Sequence, residues 1–220
     1  TKYGTAAALT REYDISARLT FSNSLLREEH LGDRKCNALC ALFEKSGNGK
    51  NGVILCSDLL LRYLREKYPG FCFVSSTTKV LTEFRQLEEE LAREEFQYVV
   101  PDFRLNKAYG RLNALPDELK RKVEFLCNEC CWFDCPERKE CYEAVSRKSL
   151  GEGGGEHGCV SPDAGKGYRF SEAMKNPGFI GIEDIQKVYL PNGFFHFKIE
   201  GRSLLSIHAG AFLHFICTSA

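Results

Sequence analysis

The chain has 220 residues, 30 Lys and Arg against 30 Asp and Glu, and an apolar share of 43%. That length and composition suit one sizeable hydrophobic core, and no run approaches the roughly 20 apolar residues of a membrane-spanning helix. Zero net charge gives no electrostatic signature of non-specific nucleic-acid binding, and aromatics spread along the whole chain exclude a disordered tail.

The sequence opens at Thr1, holds a single methionine at Met174 and shows no secretory leader, so it reads as a piece of a longer chain. In chain order, residues 18–23 read as a strand and 34–45 as a helix. Residues 52–57 form the next strand. Then comes a helix over 58–68, with Leu59, Leu60, Leu61 and Leu64 on it and a Pro69-Gly70 stop. A strand at 71–76 precedes a helix over 82–96, where Phe84, Leu87, Leu91 and Phe96 recur near helical spacing. Glu88, Glu89, Glu90, Glu94 and Glu95 fall on what reads as its solvated side. Strands at 97–100 and 122–127 follow, then a helix over 137–150 and a glycine-rich insertion at 151–177 that reads as loop. A last strand at 194–199 and a helix over 203–217 end the chain.

Strand and helix alternate at roughly 20–35 residues, the spacing of right-handed crossovers in a parallel sheet. The expected fold is α/β in a single domain over 1–220. It is a TIM-like barrel of about six β/α units that lacks its first strands. A doubly wound open sheet is the alternative, but no Gly-x-Gly-x-x-Gly follows the first strand.

Chemistry in such folds collects at the carboxyl ends of the strands. Ser57, Asp58 and Thr78 read as helix caps. Asn23 and Asn128 are candidate cofactor-binding residues, and Glu129, Lys198, Glu200 and Arg202 are candidate catalytic residues. Long polar groups beside apolar strands need partners, so a Lys198–Glu129 or Arg202–Glu200 pairing across the rim is expected. His196, His208 and His214 sit in apolar runs, where core histidines are common.

Eleven cysteines, an odd number in a chain with an ordinary core, argue for thiols in a reducing, cytoplasmic setting, some of them on a metal. Five fall between Cys127 and Cys141, just after a strand and entering a helix, where a helix amino end favours thiolate. Cys131-x-x-x-Cys135 is half a metal site, and Cys159 and Cys36 are the candidates to complete it. Cys40 is held in reserve. Cys56, Cys72, Cys127 and Cys217 read as core thiols, and Cys130 as the weaker of its adjacent pair. Four thiolates suit a four-iron four-sulfur cluster or, alternatively, structural zinc.

The run Asn128-Glu129-Cys130-Cys131-Trp132-Phe133-Asp134-Cys135-Pro136-Glu137-Arg138 resembles the Asn-Glu-x-Cys-x-x-x-Cys-Pro-x-Arg stretch of certain bacterial barrel proteins. These are related to the collagenase-like peptidases of unassigned mechanism, peptidase family U thirty-two. Asn176 to Ile185 and Phe197-Lys198-Ile199-Glu200-Gly201-Arg202 are similar to two further motifs of that group. The resemblance implies a TIM-like barrel, and it implies a cluster held by a cysteine set that includes Cys131 and Cys135. It also implies oxygen-independent hydroxylation chemistry or a peptidase-like hydrolysis. A zinc-stabilised, partner-binding domain without catalysis is the non-enzymatic alternative. No Gly-x-Ser-x-Gly or His-Glu-x-x-His is present to support hydrolysis, and the substrate is not readable from the fold.

Overall fold

The computed structural model describes residues 2–47, 49–153, 157–165 and 170–200. Its strands are β1 (Arg18–Phe21), β2 (Gly52–Leu55), β3 (Cys72–Ser75), β4 (Tyr98–Val99), β5 (Glu124–Leu126) and β6 (His196–Lys198). β1 to β4 form one parallel sheet in chain order, with Leu19 opposite Val53, Val53 opposite Phe73 and Ser75 opposite Val99. β5 and β6 pair in parallel, Phe125 opposite Phe197. A parallel bridge from Val99 to Val123 and a bond from the Val99 N–H to the Lys122 carbonyl (2.8 Å) join the two sheets. Among the described residues every strand therefore neighbours its predecessor, with none of the order reversal that defines a doubly wound sheet.

The helices are α1 (Lys2–Glu12), α2 (Arg34–Ser46), α3 (Asp58–Lys67), α4 (Phe84–Leu91), α5 (Tyr109–Asn113), α6 (Asp117–Lys120), α7 (Arg138–Ser149), α8 (Phe170–Ala173) and α9 (Ile182–Asp184). A π-helical turn over Ile185–Tyr189 extends α9. Of these, α1, α5, α6, α8 and α9 carry no clear periodicity in the sequence. α8 lies inside the expected loop insertion. The expected helix over 203–217 falls outside the described residues, as does Arg202.

One face of the strands is apolar. Val53, Leu55, Phe73, Val99, Val123 and Phe125 pack there against Leu60, Leu61, Leu64, Leu87 and Leu91 from α3 and α4. Ser57 caps α3, its side chain accepting the Leu60 N–H. Glu90 departs from the expected solvated face. It is buried, and it accepts from Ser75 Oγ (2.6 Å) and Lys79 Nζ (2.6 Å) and pairs with Arg93 (3.3 Å). A buried carboxylate requires such partners.

The opposite face holds Ile54, Val74, Val100 and Leu126, with Tyr98 packed on them. At its amino end the Arg18 guanidinium of β1 bonds Glu124 of β5 and stacks 4.7 Å from the Tyr98 ring centre of β4. Tyr98 in turn meets His196 of β6 edge-on at 4.5 Å. In a flat sheet β1 and β5 would lie roughly 19 Å apart, beyond the reach of an arginine. The sheet therefore curls around this second, inner core. No closed barrel forms among the described residues.

α7 is the element whose course the alternation of strands and helices does not predict. Instead of covering the outer face, it crosses the carboxyl ends of the strands. Asn23, just past β1, donates to the Ser146 carbonyl (2.9 Å) and to Ser149 Oγ (2.7 Å), and the Ser24 N–H donates to Ser146 Oγ (3.1 Å). Lys139 and Glu143 line a small cavity with Thr78 and Lys79, just past β3. Arg138 reaches the ends of β4 and β5. Residues 138, 142, 146 and 149 share one helical face, so a polar face of α7 covers the mouth of the curl.

Candidate functional site at the carboxyl ends of β5 and β6

Beyond β5 the chain continues through Cys127, Asn128 and Glu129. Asn128 is fully buried and acts as a side-chain extension of the sheet. The Glu200 N–H donates to its Oδ1 (2.8 Å), and its Nδ2 donates to the Glu200 carbonyl (3.2 Å). This reciprocal pair carries the β5–β6 register two residues past the last paired backbone position, Leu126 with Lys198. It sets the carboxylate of Glu200 beside the loop that holds Glu129 and the adjacent cysteines.

Glu129 is buried and well supplied with donors. Its Oε1 accepts from the N–H groups of Cys130 and Cys131, both at 2.9 Å, and its Oε2 takes Arg138 Nη2 at 2.5 Å. Arg138 is itself buried and also pairs with Asp102 at the end of β4 (3.3 Å). Asp102 is held by Arg104 at 2.6 Å. The Arg138 guanidinium lies between the rings of Phe103 (4.7 Å) and Tyr142 (5.0 Å). The expected partner of Glu129 was Lys198. The ion pair forms with Arg138 instead, because α7 brings its first turn down onto the strand ends. Lys198 lies on β6 opposite Leu126.

Burial acts on the remaining groups in the same direction. The Glu200 carboxyl is pushed up to about 7, first by burial and then by the neighbouring Glu129 charge. The Cys130 thiol is raised strongly by burial and by Glu200 and Glu129, and the Cys131 thiol is raised to about 11 by burial, opposed by Arg138. The mouth thus has one carboxylate compensated by Arg138, Glu129, and one carboxyl, Glu200, whose ionisation is shifted up toward neutrality.

The segment 176–180 runs alongside this loop and fixes it. Asn176 Nδ2 donates to the Cys131 carbonyl (2.9 Å), and the Ile180 N–H to the Cys127 carbonyl (3.0 Å). Asn106 Nδ2 donates to the carbonyls of Leu126 (2.9 Å) and Gly178 (2.8 Å). Gly178 passes so near the Phe103 carbonyl that a Cβ there would sit 2.6 Å from the oxygen, which explains the glycine.

Comparison with family models, with curated proteins and with solved structures gave no match.

Of the residues expected to form the site, Asn128, Glu129 and Glu200 meet at one point. Asn23 and Cys36 line a separate cavity of about 710 Å³ between β1, α2, α3 and the end of α7, with Cys40 and Tyr63. Cys36 there is exposed on the first turn of α2, its N–H bonded to Asp33 (2.7 Å). No three of Cys36, Cys131, Cys135 and Cys159 bring their sulfurs within 4.8 Å of one another. A single zinc ion with bonds of about 2.3 Å to sulfur needs closer spacing than that. A four-iron cluster places its cube between the thiolates and spreads them further. The neighbouring Cys135 adds to the raising of the Cys131 thiol, and Cys159 and Cys135 add to that of Cys141, in both cases after burial. Cys141, to which the sequence reading gave no role, is thus a neighbour of Cys135 and Cys159. Cys127, raised to about 12 by burial, is a core thiol as its apolar run suggests.

Sequence reasoning gave no role to Arg138, Asp102, Tyr142 or Cys141. For Arg138 a signal existed, since a charged residue three positions after Cys135 falls within the thiol-rich run. Asp102 lies 36 residues earlier in the chain, and nothing local to it announces the pairing.

Proposed function

We propose that this chain is a metal-dependent β/α-barrel enzyme domain of the peptidase U thirty-two type, with its reaction centre at the carboxyl ends of β5 and β6 under α7. The observation that carries this is the meeting of Asn128, Glu129, Cys130 and Glu200 at those strand ends, where parallel β/α folds place their chemistry. A curled, singly wound parallel sheet supports the barrel architecture.

Cys131, Cys135, Cys141 and Cys159 are the residues that would hold an iron–sulfur cluster beside this centre. Such a cluster supplies one-electron chemistry of the kind an oxygen-independent hydroxylation uses. Glu200 is half-buried, and its carboxyl, raised to about 7, can exchange a proton with a substrate atom near neutral pH. Asn128 fixes its backbone, and Arg138 pairs with the neighbouring Glu129. The peptidase-like alternative has weaker support, since the Cys130 and Cys131 thiols are both raised above their ordinary range, which disfavours a thiolate nucleophile.

The test is the electronic spectrum of the chain purified without oxygen. Broad visible absorption that bleaches on reduction, and that disappears in Cys131→Ser and Cys135→Ser, is expected. A colourless wild-type protein would rule out the cluster.

A further inference from the structure

The thiol closest to the two glutamates is not one of the cysteines favoured for the cluster. Donor atoms of Glu129, Cys130 and Glu200 all lie within 4.8 Å of one another, and among the described residues no other trio of potential metal ligands comes so close. We propose that Glu129, Cys130 and Glu200 form a site for a single divalent metal ion of the zinc or cobalt type, separate from the sulfurs of Cys131, Cys135, Cys141 and Cys159. It builds on the placement of the reaction centre under α7 and does not require a cluster.

Three features carry it. The first is donor chemistry. One thiolate and two carboxylates form a set that zinc accepts, and three protein ligands leave a fourth position open, as in catalytic zinc sites. Glu129 uses three of its roughly four acceptor positions on the N–H groups of Cys130 and Cys131 and on Arg138, so one remains.

The second is charge. With all three ligands ionised, they and Asp102 present four negative charges to the two guanidiniums of Arg104 and Arg138. A surplus of two negative charges is what one divalent ion cancels. Metal binding forms bonds to one sulfur and two carboxylate oxygens, and any proton these three groups carry leaves to solvent.

The third is pre-organisation and access. Asn128 fixes Glu200 from the β6 side, and the Cys130 N–H also donates to Glu200 Oε1 (3.3 Å). Arg138 orients Glu129 as an outer-shell partner orients a metal-ligating carboxylate. Cys130 is exposed, which leaves an entry path from solvent.

Titration of the full chain with cobalt chloride tests the proposal, run in a Cys131→Ser/Cys135→Ser background so that a cluster cannot contribute. A thiolate-to-cobalt charge-transfer band saturating at one equivalent is expected. Adding Cys130→Ser should abolish it, and adding Glu200→Gln should weaken cobalt binding at least tenfold while circular dichroism shows the fold intact. No band in that background, or a band that survives Cys130→Ser, overturns the site. Either result leaves the iron–sulfur reading open, because that reading is judged on the unaltered chain.

Discussion

The two ends of the inner core hold buried charge in different ways. At the amino end, Arg18 and Glu124 form one pair, backed by the Tyr98 and His196 rings, and Arg18 keeps 27% of its side-chain surface in contact with solvent. At the carboxyl end, Asp102, Arg104, Arg138 and Glu129 form a continuous network, its central arginine 3% exposed, with Glu200 and thiols along its edge. The first arrangement ties distant strands together and leaves little chemistry to do. The second shifts a carboxyl up toward neutrality and keeps donor atoms converged, which is costly for mere stability and useful for binding or proton transfer.

The contrast is broken most severely by removing the central cation. Arg138→Met leaves Asp102 and Glu129 buried with less compensation and should cost about 3–5 kcal/mol, read from the urea midpoint at constant slope. Arg18→Met, its counterpart at the amino end, strands Glu124, whose Oε2 already lacks a hydrogen-bond partner. Because Arg18 is partly solvated, the expected loss is smaller, about 1–3 kcal/mol. Equal losses for the two variants would remove the distinction drawn between the ends.

Asn128→Ala deletes the reciprocal bonds to Glu200 and should cost about 1–3 kcal/mol. It should also lower the Glu200 pKa as water enters, measurable by carboxyl-resolved NMR titration.

The pH dependence differs as well, and there the two ends have opposite signs. Glu200 titrates near 7 in the folded chain against about 4.3 when unfolded. The unfolded chain loses this proton first, so in metal-free protein the Glu200 contribution to stability falls as pH rises from about 4.3 to about 7. Below that window the group is neutral in both states and contributes nothing. His196 is lowered from its ordinary value of about 6.5, chiefly by burial. The unfolded chain therefore binds its proton first, and the His196 contribution falls on acidification through about 6.5. Stability curves between pH 5 and 8 for Glu200→Gln and His196→Gln should each lose one of these opposed slopes. A Glu200→Gln curve parallel to wild type would contradict the raised carboxyl.

Much of the parallel sheet was legible in the sequence because its strands are short, apolar runs at regular spacing. Val53, Ile54 and Leu55 are buried on both faces and look so in the sequence. The strand-end polar residues Asn128, Glu129 and Glu200 stood out for the same reason: each follows directly on an apolar strand. What could not be read was long-range. Periodicity delimits α7 closely but does not say that it turns across the mouth, since that depends on Asn23 bonding Ser146 and Ser149 more than 120 residues away. Glu90 looks like its solvated neighbours in sequence and is buried only because Lys79 and Ser75 come to meet it. Cys36 shares residue type with Cys131, but α2 holds it at the wall of another cavity.

Metal content bears most directly on the central claim, measured as iron, acid-labile sulfide and zinc in anaerobically prepared chain, with Cys131→Ser/Cys135→Ser and Arg18→Met alongside. Metal bound by wild type and by the amino-end variant, with iron and sulfide lost from the double cysteine variant, is the predicted result. A metal-free wild type, or iron and sulfide retained without Cys131 and Cys135, would contradict it.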